Sequence, residues 1–145
     1  MIRILPLLLL LATAARAEFL EIRVFIQDMN CQPCSENLAA AFKRMRGVES
    51  VDIDLKEGTV SLKFAAQNRL GPEQVWDAIK RVGFTPGNTD VKVRGSVKDG
   101  KLDVPESGKS FALEGRADNA DSVEIQGKTA PPPDPRTPIS IKILR

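Results

Sequence analysis

Histidine is missing from all 145 residues of the chain. Its absence excludes imidazole metal sites and every nucleophile activated by a histidine base. Cysteine is scarce as well: the chain has two, at Cys31 and Cys34, so thiol chemistry is confined to one spot. Long apolar runs are also lacking. The run from Ile4 to Leu11 falls well short of the roughly 20 residues a membrane span needs. With Arg3 before it and Ala15-Arg16-Ala17 after it, it reads instead as a secretory leader cleaved after Ala17. The mature chain would then run from Glu18 to Arg145, periplasmic or secreted and not membrane-spanning. A surplus of one charge is missing too. The leader carries Arg3 and Arg16, so its removal brings 21 basic residues down to 19, equal to the 19 acidic ones. A balanced chain without a basic stripe gives no reason to expect nucleic acid as a partner.

What the chain does have is Met29-Asn30-Cys31-Gln32-Pro33-Cys34, placed where a strand pattern gives way to a helix pattern. Upstream, Leu20, Ile22, Val24 and Ile26 alternate with Glu21, Arg23, Phe25 and Gln27, the period of a half-buried strand. Downstream, Leu38, Phe42 and Met45 recur at helical spacing, which predicts a helix from about residue 34 to 46. Two thiols three residues apart at a helix entrance are able to grip one soft ion. The partial positive charge of the helix N-terminus favours thiolate, the form that binds metal. Pro33 suits the first turn, where its missing N–H costs nothing, and Asn30 is the expected cap. Gly47 is placed to stop the helix, and Lys43, Arg44 and Arg46 to complement its negative end.

Val51, Ile53 and Leu55, then Val60, Leu62 and Phe64, alternate with polar residues on either side of Lys56-Glu57-Gly58; this predicts a hairpin. Gly71-Pro72-Glu73 opens a second helix, with Val75, Ile79 and Val82 as its apolar stripe and Gly83 at its end. Trp76 is expected at the edge of the core and not in a ligand site. A further strand is expected over about 90–97. Beyond it, short strand patterns at Lys101 to Val104, Lys109 to Arg116, Ser122 to Gln126 and Ile139 to Leu144 are separated by turns and by Pro131-Pro132-Pro133-Asp134-Pro135, a stretch with linker composition. About 50 residues with neither disulfide nor metal make a marginal unit, expected to pack on the first domain or on a partner.

Met-x-Cys-x-x-Cys between a first strand and a first helix, followed by two strands, a helix ending in Gly-Phe and another strand, resembles the heavy-metal-associated domain. That family includes copper chaperones, the N-terminal modules of copper-exporting ATPases and periplasmic mercury-binding proteins. The resemblance covers residues 19 to about 95 and implies an α+β fold, a ferredoxin-like βαββαβ sandwich. The division is then a leader over 1–17, a metal-binding domain over 18–97 and a small β extension over 98–145. By the same resemblance Cys31 and Cys34 are the metal ligands, while Met29 packs inward and Phe84 lies beneath the loop as support.

Three readings of the cysteine pair compete. As ligands, two thiolates favour copper(I) and, by the same softness, mercury(II). Zinc usually takes four ligands, although Asp28 offers an oxygen that keeps zinc or cadmium as a further option. As a redox pair, the cysteines would make a thiol–disulfide oxidoreductase, but the element order differs from that of thioredoxin-like proteins. As a structural staple, a bridge closing so short a loop removes little chain entropy. The ligand reading implies a carrier that is not an enzyme, passing its ion to a protein partner, a transporter or a cuproprotein. Two departures from the family stand beside the site. Asp28 replaces the usual glycine before the methionine, adding negative charge near the thiolates, and Asn30 stands where the family often has threonine or another small residue.

Overall fold

The computed structural model describes residues 16–144, so most of the expected leader lies outside the described residues. Strand β1 (Glu18–Ile26), helix α1 (Gln32–Lys43), strands β2 (Val48–Asp54) and β3 (Thr59–Phe64), helix α2 (Pro72–Val82) and strand β4 (Pro86–Lys98) follow one another in the expected βαββαβ order. The sheet runs β2-β3-β1-β4, with β1 antiparallel to both β3 and β4. Alternation does the work in β1: Ile22, Val24 and Ile26 are buried while Arg23 and Phe25 face out. The inward residues join Leu38 and Phe42 of α1 and Val75 and Ile79 of α2 in one core. Each such side chain contributes about 1.5–3 kcal/mol on burial.

Element ends differ from expectation where local chemistry decides them. Helix α1 begins at Gln32 and its cap is Arg44. The chain then makes a further turn before Gly47, which takes a left-handed φ of 99° there and so marks the turn into β2, not the helix end. Helix α2 does end on Gly83, left-handed at φ 102°. Trp76 is buried, and its Nε1–H donates to the Thr89 hydroxyl at 3.0 Å.

Strand β4 starts at Pro86 and spans thirteen residues, longer than the alternation of Val91, Val93 and Val97 indicates. The added length has a cause in its pairing. One edge of β4 meets β1 and then, over Ser96–Lys98, strand β5 (Lys101–Val104); the other edge meets β7 (Ala120–Thr129) from Thr89 to Val97. Strand β5 pairs with β6 (Lys109–Glu114), β6 lies parallel to β8 (Ser140–Ile143), and β8 pairs with β7. The five strands from β4 onward therefore close into a ring. The β extension is not a separate sheet: it continues the first one through β4. Its core side chains Leu102, Val104, Phe111, Ile125 and Ile141 belong to the same buried cluster as Ile22 and Phe42. Phe19 and Phe111 meet edge-on with centroids 5.4 Å apart, and Lys109 forms an ion pair with Glu73 of α2. The proline-rich segment lies beside α2, where Pro131, Pro132 and Trp76 line a cavity of about 360 Å³.

Candidate metal site

The loop between β1 and α1 is anchored from below. Met29 is 4% exposed and belongs to the core, so the chain on either side of it is held while Asn30 remains at the surface. Asn30 is not the helix cap. Cys31 takes that role, with extended backbone angles, and its Sγ accepts the Cys34 N–H at 3.1 Å. A sulfur can replace a hydroxyl here because the free N–H groups of a first turn favour any acceptor, and an anionic one most. Ser35 secures the same turn from inside: it is buried, and its hydroxyl donates to the Gln32 carbonyl at 2.7 Å.

Both cysteines are half-buried, with their Cα atoms 5.3 Å apart and the two sulfurs joined as a disulfide. The bridge shows that the backbone brings both sulfurs to one point without rearrangement. Reduction converts the pair into two thiols on the positive end of α1. Among the described residues no group of three or more Cys, Asp and Glu side chains is placed to hold an ion. The loop brings the sulfurs of Cys31 and Cys34 together.

Phe84 is half-buried against the core, and its N–H donates to the Ile79 carbonyl at 3.1 Å at the end of α2. The next residue carries a contact that the sequence reading missed. Asp28 Oδ1 accepts the Thr85 N–H at 3.2 Å. One oxygen of the side chain that was a candidate third ligand is thus engaged across the domain, 57 residues away in sequence. Only the glycine-to-aspartate departure hinted at a role for it, and nothing in the sequence named Thr85 as its partner.

Residues 23–85 match the heavy-metal-associated domain. The copper chaperone CopZ of Staphylococcus haemolyticus (strain JCSC1435) is 29% identical over 59 residues, which span 41% of this chain and 85% of CopZ. Among solved structures, a CopZ metallochaperone is 26% identical, with 46% of this chain and 97% of that one covered and a TM-score of 0.43. Oxidized MerP from Ralstonia metallidurans CH34 is 16% identical, with 47% and 93% covered and a TM-score of 0.43. The family match ends at residue 85, so β4 and the ring it enters lie beyond it. No helix among the described residues is long and apolar enough to cross a membrane.

Proposed function

We propose that this protein is an exported carrier of a soft metal ion, binding copper(I) through Cys31 and Cys34 and passing it on by thiolate exchange. The observation that carries this reading is a match to the heavy-metal-associated domain over a stretch whose two half-buried cysteines meet at a helix N-terminus, where among the described residues no further Cys, Asp or Glu completes a group of three. Two soft sulfurs favour a soft ion that accepts low coordination. Copper(I) between two thiolates leaves one negative charge, which the end of α1 stabilises. Likeness to a copper chaperone supports copper first; mercury(II) shares the same softness and is the alternative cargo.

Transfer needs no catalytic group. A partner thiolate bonds to the ion to give a three-sulfur intermediate and one Cys–metal bond breaks; a second partner thiolate then displaces the remaining cysteine, and both freed cysteine thiolates take up protons from water. The partner is a transporter or a cuproprotein presenting thiolates of its own. The disulfide stores two electrons fewer than the binding form, so a reductant in the same compartment must open it first.

Binding and redox exchange make different predictions for the reduced protein. As a carrier it takes up one copper(I) per chain, and the bound ion protects both thiols from alkylation. As a thiol–disulfide oxidoreductase the reduced, metal-free protein would instead reduce a protein disulfide catalytically. A glutathione titration combined with an insulin-reduction assay separates the two, and turnover of the disulfide substrate would contradict the carrier reading. Export has its own check: mass spectrometry of material from the producing cell should give a chain beginning at Glu18.

A further inference from the structure

We propose that Asp28 is a positioning residue that clamps the metal loop to the turn between α2 and β4 and so slows release of the ion. The inference rests on the reading of Cys31 and Cys34 as ligands and adds how that site is regulated. Two residues separate Asp28 from Cys31, and the bond from the Thr85 N–H to its Oδ1 crosses from the turn that carries Phe84 to the loop. Met29 fixes the loop by burial, and Asp28 is the polar hold beside it on the exposed side. Without that bond the loop keeps its inner anchor, the packing of Met29, and loses its outer one. With it, the loop and the start of β4 move together, and β4 is paired along both edges from Thr89 onward. The loop is thereby tied to the most heavily paired strand of the sheet.

Release by thiolate exchange requires the loop to admit a third sulfur, so a clamped loop exchanges more slowly than a free one. The bond needs the acceptor oxygen and not the charge. Asparagine retains an Oδ1, which predicts that Asp28→Asn keeps the clamp and Asp28→Ala loses it. If the effect of Asp28 were instead its negative charge beside the thiolates, the two variants would behave alike.

The test uses the reduced full-length chain with copper(I) as the probe. Hydrogen exchange at the Thr85 amide is followed by NMR in the metal-free protein, and copper release to a competing chelator is timed by stopped flow. In Asp28→Ala, Thr85 exchange should rise about fivefold and copper release should accelerate by a similar factor, the size expected for loss of one exposed hydrogen bond. Asp28→Asn should match the parent in both. Unchanged Thr85 exchange in Asp28→Ala overturns the clamp, as does an equal change in both variants. Faster Thr85 exchange with unaltered copper release overturns its role in transfer. Failure of the ligand reading looks different: Cys31→Ser would then hold copper as tightly as the parent while the Thr85 result stood.

Discussion

Gly95 sits in β4 where the two parts of the sheet share a strand, and its missing side chain is a packing requirement. A Cβ there would lie 2.6 Å from the Asp103 carbonyl oxygen and 2.9 Å from a Leu102 methyl. The oxygen belongs to the paired strand β5 and cannot swing away as a side-chain tip would. Gly95→Ala should therefore destabilise the protein by about 1–3 kcal/mol through overpacking, read as a lower urea midpoint with an unchanged slope. A parent-like midpoint would show that β4 and β5 are less closely packed than this. Glu18 is a second case of residue-scale fit. Its carboxylate accepts the Gln67 N–H at 2.7 Å, while the Asn68 amide donates to the Phe19 and Ala65 carbonyls at 3.0 Å each. None of these partners was legible in the sequence. They lie about 50 positions apart, except for the local bond to Ala65, and a linear pattern reports which side chains are apolar, not which distant amide a carboxylate meets. The cysteine pair was legible because its chemistry is local: both sulfurs, the proline and the first helical turn fall within six residues.

At the scale of elements, the helices and hairpin followed from periodicity, and the ends moved where caps and turns overruled it. Cys31 displaced Asn30 as the cap of α1 because its sulfur reaches the first-turn amide. Helix α2 is fixed to the sheet by a polar link as well as by its stripe: the Trp76 indole N–H meets the Thr89 hydroxyl, which in turn donates to the Gly87 carbonyl at 2.9 Å. Both side chains are buried, so removing the acceptor leaves the indole N–H unpaired. Thr89→Val keeps the shape and should cost about 1–3 kcal/mol. Trp76 is the one tryptophan in the chain, so its fluorescence reports directly on this contact during denaturation. A variant as stable as the parent, with an unshifted emission maximum, would mean that the link contributes nothing. The length of β4 was the element least accessible to sequence reasoning. Pro86 and Gly87 have turn composition, and they are drawn into the strand by pairing with β1, as Pro86 opposite Ile26 shows.

For the whole molecule, the closed ring of strands decides how the extension and the metal-binding part depend on each other. Short strand patterns predicted the extension's elements, but the order β4-β5-β6-β8-β7 depends on pairings between residues far apart and has no local signature. Because β7 covers β4 from Thr89 to Val97, a chain truncated after Val97 would bare that edge and lose the Phe19–Phe111 contact. We expect the truncated chain to fold and bind copper with a lower Tm, and the full chain to melt in one transition. Two separate transitions in the full chain would contradict the shared core. If two sulfurs presented by this scaffold hold the ion, metal competition will separate them from every other side chain of the loop. Reduced parent, Cys31→Ser, Cys34→Ser and Met29→Leu are each titrated with copper(I) against a chromophoric chelator. Serine's hydroxyl stays protonated and hard, so the parent should bind one copper per chain, either serine variant should lose competitive binding, and Met29→Leu should keep near-parent affinity. Serine variants that compete for copper as well as the parent would contradict binding by the two sulfurs.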